Sequence, residues 1–308
     1  MRHFVLLAAS FTVAALQAAD PTLLNLVMPD AKVLAGINVQ KAKTTQFGQF
    51  LLTQMPAGDS INGFISATGF DPRQDLTEVL MASNGVAKSA GLILARGTFN
   101  PSLISAAVEK DGKHSAQSYK GAQLITTNAA NDDGAVAFLS GNIAIVGDLA
   151  SVKGAIDRSS GNNALDPALA AKVASYAATD VWSVSMTSIN FPGTEGNAAN
   201  NPFGGALKSI QQASGSIMLS EPIQITAEAM ADNDQDATSL SDVLKFVVMM
   251  VAGQNSSTAS LLNSLNVSTD HSTINIKFSI PEDQLEQLIK STTSDSEKTA
   301  KKRIAAHV

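Results

Sequence analysis

The sequence predicts an α+β fold of two tandem β-α-β-β-α-β-β-α units, in which an antiparallel sheet carries helices packed on one face. Three observations carry this. The stretch Gly134 to Asp157, GAVAFLSGNIAIVGDLASVKGAID, compresses a hairpin and a capped helix into one unit. A second such unit follows near the C-terminus, where Leu265 and Val267 lead through Thr269 to Ser272 into the alternating Ile274, Ile276, Phe278 and Ile280. Pro281, Glu282 and Asp283 then open a helix whose stripe is Leu285, Leu288 and Ile289. Between these landmarks, strand and helix periods follow one another in the same order in both halves. The spacing drifts, so insertions differ.

In chain order, residues 1–18 read as a signal peptide with Arg2 as the basic end and an apolar run from Phe4 to Leu16. That run is shorter than the ~20 residues a spanning helix needs, so removal after Ala18 is expected and the mature chain is not an integral membrane protein. The first unit, residues 19–165, begins with a Pro29-Asp30 turn and a strand from Lys32 to Val39. A helix follows from Thr44 on Phe47, Phe50 and Leu51. Another spans Gly58 to Gly69 on Ile61, Phe64 and Ile65. Phe70 to Asp75 reads as a turn or single helical turn opened by Asp71 and Pro72, and strands run from Leu76 to Ala82 and from Ala90 to Arg96. Asn100 caps a helix with Pro101 at its first position and Gly112 as its stop. One strand, Gln117 to Thr126, leads to the hairpin, and Asp148 caps the helix after it.

The Ser-, Gly- and Asn-rich stretch Asp157 to Pro167 marks the boundary. The second unit, residues 166–291, starts with a helix from Asp166 to Ala177 and a strand from Asp180 to Ser188. A Gly- and Asn-rich loop, Asn190 to Asn201, reads as mobile. It leads to a helix at Phe203 to Gln212, strands at Ser216 to Leu219 and Ile223 to Met230, and a helix from Thr238 to Gly253. Residues 292–308 form a polar tail with Lys298, Lys301, Lys302 and Arg303, expected to be disordered.

Composition restricts the function. The chain has no cysteine, hence neither a lipid-attachment thiol nor a disulfide framework, and its stability rests on a core. Removing Arg2 leaves 20 basic against 27 acidic residues, a net charge near −7. That disfavours nucleic acid as a partner, and 5% aromatic content disfavours a stacking platform.

No strong catalytic motif is present: neither G-x-S-x-G, a P-loop, H-E-x-x-H nor G-x-G-x-x-G. His114, after Gly112, and His271, beside Asp270, read as exposed turn residues. Asp232, Asp234 and Asp236 resemble the opening of a calcium loop, but Ala237 and Val243 stand where its glycine and bidentate glutamate belong. Asp71, Arg73 and Asp75 are explained by capping. The basic tail lacks the apolar anchor that lipid binding needs. Neither a catalytic residue, a metal ligand nor a cofactor is assigned.

The least ordinary stretch is Leu240 to Ala252, LSDVLKFVVMMVA, apolar around most of its circumference, with Ser239 and Asp242 placed as a capping box. Burial of this helix in the core, with Val247 one turn from Val243 and Val251 and facing the sheet, is the expectation. The alternatives are a wall of an apolar ligand cavity and a partner interface.

The segments PDAKVLAGINVQKAKTTQFGQFLL, TGFDPRQDLTEVLMAS, the GTFNP helix start and AVAFLSGNIAIVGDLASVKGAIDR resemble a group of uncharacterised exported bacterial proteins, over most of residues 28–158. The resemblance implies export and a strand-helix repeat fold. It brings no site residue. The functional expectation is a non-enzymatic, periplasmic or extracellular binding module for an unidentified protein or apolar small molecule. A carrier of an apolar ligand and a hydrolase with an unrecognised carboxylate site are the alternatives.

Overall fold

Period-two alternation dominates the middle of the chain and sets its strands. They are β1 (Val33–Ile37), β2 (Leu76–Ser83), β3 (Gly91–Gly97), β4 (His114–Tyr119), β5 (Ala122–Thr127), β6 (Gly134–Leu139), β7 (Ile143–Asp148), β8 (Val181–Ser185), β9 (Ile210–Met218), β10 (Ile223–Ala231), β11 (Asn266–Asp270) and β12 (Thr273–Ile280). The computed structural model describes residues 19–290 apart from 55–58, 87–90, 111, 162–164, 177, 189–206, 253–261, 263 and 288. The signal segment, the Asn190–Asn201 loop, Gly253 and the basic tail lie outside the described residues.

All these strands join one 12-stranded sheet in the order β11-β12-β10-β9-β8-β1-β2-β3-β7-β6-β5-β4. Every pairing is antiparallel. The halves meet at β1 and β8, where Leu34 pairs with Val184 and Gly36 with Trp182. Outward from that pair the order β1-β2-β3-β7-β6 on one side matches β8-β9-β10-β12-β11 on the other. Both halves of the chain therefore contribute to a single continuous sheet.

The helices are α1 (Pro21–Leu26), α2 (Val39–Ala42), α3 (Gln46–Gln54), α4 (Asp59–Thr68), α5 (Pro72–Asp75), α6 (Pro101–Glu109), α7 (Leu149–Arg158), α8 (Pro167–Ala174) and α9 (Asp234–Ala252). Capping side chains set their starts. Asn100 accepts from Leu103 N at 3.1 Å, Asp148 from Ser151 N at 2.8 Å and Asp166 from Ala168 N at 2.9 Å. The fold is α+β, as predicted.

The helices pack on both faces of the sheet, not on one. Alternation decides this, since neighbouring residues of a strand point to opposite faces. Leu94 and Ile145 belong to a core shared with α1, α7 and α8, through Leu23, Val152 and Leu169. Their strand neighbours Ala95 and Ala144 pack instead with Ile104 of α6 and the aromatic group Phe70, Phe99 and Phe138. On that second face of the other half, α9 packs through Ala237 and Leu240 against Ile210 and Ile274.

Further corrections have local causes. The strand predicted from Gln117 to Thr126 is the hairpin β4–β5, turned at Lys120 (φ 47) and Gly121 (φ 84). The helix predicted to Gln212 gives way at Ile210 to β9, whose Ile210 pairs with Ala231. Helix α9 begins a turn before Thr238. Asn233 Oδ1 accepts from Asp236 N at 3.0 Å while Asn233 Nδ2 donates to the Asp236 carboxylate at 2.7 Å, so the cap is Asn233. Ser239 lies inside the helix, its hydroxyl donating to Gln235 O, and does not form the expected box with Asp242. Helix α1 is an additional element: Asp20 caps it, and Arg158 donates to Leu26 O from Nη2 at 2.8 Å to tie its end to α7.

Candidate ligand groove

The second face of the sheet holds a groove of about 620 Å³ between the strands β8, β9, β10 and β12 and helix α9. Its floor is made by small side chains. Ala213 and Gly215 on β9 lie opposite Ala229 and Ala227 on β10 in direct register, so they share one face. Across the space stand Leu240 and Leu244 of α9, with Ile274 and Ile276 of β12 along one side. Large side chains at the floor positions would close the interior to normal packing density; alanine and glycine leave it open. Gly215 has its own requirement, since a Cβ there would lie 2.8 Å from Thr226 O. The rim is formed by Val33, by Ser83 at the end of β2, and by Gly85 and Val86 after it. Gly85 adopts φ +81 beside Thr187.

The polar groups of the groove are few. Ser185 Oγ donates to Thr187 O at 2.8 Å, and Ser83 Oγ accepts from Gly85 N at 3.1 Å. Glu228 bounds the groove but points to the opposite face, where Lys172 Nζ donates to its carboxylate at 2.7 Å. Ser183 is exposed on the groove floor. Among the described lining residues there is no Lys, Arg or His.

Helix α9 borders this space but is not the enclosed core helix that its composition predicts. Ala237, Leu240 and Ser241 are buried, whereas Phe246 is 62% exposed, Met249 65% and Met250 half exposed. The Val247 side chain lies outside the described residues. Composition revealed the apolar excess; it could not distinguish a stripe in contact with the sheet from one facing solvent.

The other sequence candidates resolve into structural roles. Asp71 caps α5 and receives Arg73 Nε and Nη2, both at 2.9 Å, while Asp75 accepts from Asp71 N at 2.7 Å. The Arg73 guanidinium is the main cause holding the Asp71 carboxyl below its usual range. Asp234 and Asp236 occupy the first turn of α9, where they complement its dipole. A helical turn cannot also be a calcium loop. His271 stands in the β11–β12 turn with φ 51, exposed, its pKa raised by the hydrogen bond to Asp270. His114 is not a loop residue: it opens β4, partly buried and paired with Thr127. Among the described residues no group of three or more His, Cys, Asp or Glu is arranged to hold a metal.

One acidic depression of about 320 Å³ is lined by Gln46, Glu221, Glu282, Asp283 and Glu286. It is the place to look for a carboxylate pair. Glu221 accepts from Glu282 N at 2.8 Å, which caps the helical segment 282–287, and Lys290 pairs with Glu286 at 2.8 Å. Burial, then the like charges of Glu221 and Glu286, push the Glu282 carboxyl up. Capping and a helical ion pair account for the cluster.

The half-buried Glu78 lies near the start of α1. Asp20 N donates to it at 2.9 Å, while Arg96 Nε pairs with the Asp20 carboxylate at 2.7 Å. Burial pushes the Glu78 carboxyl up; the hydrogen bond from Asp20 N opposes this first, the charge of Asp20 adds to the rise, and that of Arg96 opposes it, with the net direction upward. A raised folded-state pKa contributes stability below the unfolded value that is lost as pH rises through the folded value. Glu78→Gln, whose amide oxygen can still accept from Asp20 N, is therefore expected to gain on the parent as pH rises from about 4 to about 7. Paired thermal melts across that range check it; parallel curves would contradict it.

No family model and no curated protein matches this chain. Solved structures do. Crystal form III of TP0453 superposes with a TM-score of 0.54 at 11% identity, covering 89% of this chain and 98% of that chain. Crystal form I gives 0.51 at 12% identity, with 89% and 97% covered. The chain is similar in fold to TP0453. At such identity the likeness to TP0453 concerns the fold alone and assigns no residue of the groove. Among the described residues, no helix is long and apolar enough to cross a membrane.

Proposed function

We propose that the chain is an exported envelope protein that acts by binding rather than by catalysis, and that its ligand is apolar. The observation that carries this reading is the groove of about 620 Å³, with Ala213, Gly215, Ala227 and Ala229 in its floor beneath Leu240 and Leu244. Its size and its apolar lining with sparse polar groups match those of small-molecule sites. The amino-terminal signal pattern and the resemblance to exported bacterial proteins support export, and the fold is compatible with it. A hydrolase is less well supported, because the one carboxylate among the described lining residues, Glu228, points to the opposite face and pairs with Lys172.

An uncharged fluorescent acyl probe titrated into parent protein and into Ala227→Phe tests the reading. The phenyl ring would occupy the groove from its floor. The parent is expected to bind saturably and the variant to lose binding. A protein partner is a second reading, favoured by the exposed Phe246, Met249 and Met250 on the outer side of α9.

A further inference from the structure

This inference rests on the reading that the groove holds an apolar ligand, and it concerns the class of that ligand. Directly paired residues of neighbouring strands share a face, so the register can be followed across the whole sheet. From Ile276 on β12 it passes to Ala227, Gly215 and Ser183 beneath α9, and then to Ala35 on β1. Beyond Ala35 it continues without a break through Met81 and Ile93 to Val146 on β7. Seven interstrand steps at ~4.8 Å make this row roughly 34 Å long.

The inner part of the row lies in the groove. The outer part is open, with Met81 41%, Ile93 44% and Val146 37% exposed. These large apolar side chains sit side by side on consecutive strands. In this row of residues, only Ser183 has a polar side chain, and it lies near the middle. No described lining residue supplies a positive charge. A carboxylate or phosphate buried there would lose its hydration without a counter-charge.

We propose that the groove and the open strip form one trough across the strands, taking an elongated, uncharged lipid-like molecule with an internal ester or amide. The Ser183 hydroxyl donates to the carbonyl of that linkage. One apolar arm lies under α9, and the other lies along Met81, Ile93 and Val146.

Octyl octanoate and palmitic acid are isomers that separate these features, since the first has an internal ester between two arms and the second a terminal carboxyl group that ionises to palmitate. Each is used to displace an uncharged fluorescent acyl probe from the full mature chain near neutral pH. Octyl octanoate is expected to bind at least ~10-fold more tightly than palmitate, because only the charged isomer must be desolvated without a partner. Ser183→Ala should weaken the ester ~2- to 10-fold, the range of one ordinary hydrogen bond. Met81→Glu, at an exposed position, should weaken it by about 10-fold while leaving the short ester ethyl butyrate unaffected. Equal binding of the two isomers, or indifference to both substitutions, overturns this ligand class and leaves the groove reading standing. Absence of saturable binding by the fluorescent probe itself overturns both.

Discussion

Replacing Trp182 by alanine is expected to destabilise the protein by about 3–5 kcal/mol, the range for emptying a large aromatic site. The indole is buried at the junction of the halves, on the face that also carries α1, α7 and α8. It lies across Gly36 of the neighbouring strand, where an added Cβ would stand 2.5 Å from Trp182 Nε1. Gly36 is thus glycine because the ring occupies the place of its side chain. Gly36→Ala alone should be destabilising by overpacking, and in a Trp182→Leu background the same change should cost less, as coupled neighbours do. Thermal and urea melts of the four proteins in that cycle measure the coupling. Strict additivity would show that the ring and the glycine do not constrain each other.

The second large effect separates the two sides of α9. Leu240→Asp places a carboxylate among Ile210, Ala231 and Ile274 with no described cation in that cluster, at an expected cost of several kcal/mol. Phe246→Asp, only two turns further along, should change stability by no more than about 0.5 kcal/mol, since that ring already faces solvent. Melting both variants beside the parent checks the contrast. A large loss for Phe246→Asp would mean that the outer face is covered in solution, for instance by a second protein.

The elements that the sequence revealed are those with local signals. The caps at Asn100 and Asp148 and the alternation in β6, β7 and β12 are written in adjacent residues, so their positions could be read directly. The β4–β5 turn carries a weak sequence signal because Lys120 adopts positive φ without the Asn or Asp that marks such a turn. The start of helix α9 is hidden in the sequence because Ser239 and Asp242 imitate the capping pair that Asn233 and Asp236 form. The distribution of helices over both faces depends on which alternate set of each strand meets which helix, a property of the sheet register.

The groove was illegible for a related reason. Ala213, Gly215, Ala227 and Ala229 are unremarkable in sequence, and their smallness acquires meaning only when β9 and β10 pair and α9 bridges above them. The row from Ile276 to Val146 likewise draws on strands far apart in the chain. The apolar excess of Leu240 to Ala252 did point to this region, but not to the open space beside it.

The most direct measurement of the central claim is the titration of the uncharged acyl probe into parent and Ala227→Phe, with melting temperatures recorded on the same samples. One saturable site is expected in the parent, with at least ~10-fold weaker binding in the variant and melting curves that nearly coincide, because the ring fills space that is already open. A Ser183→Phe variant, altered at an exposed floor position, should behave in the same way. Binding that survives both substitutions in folded protein, or a parent that does not bind the probe saturably, would contradict the assignment of this groove as the ligand site.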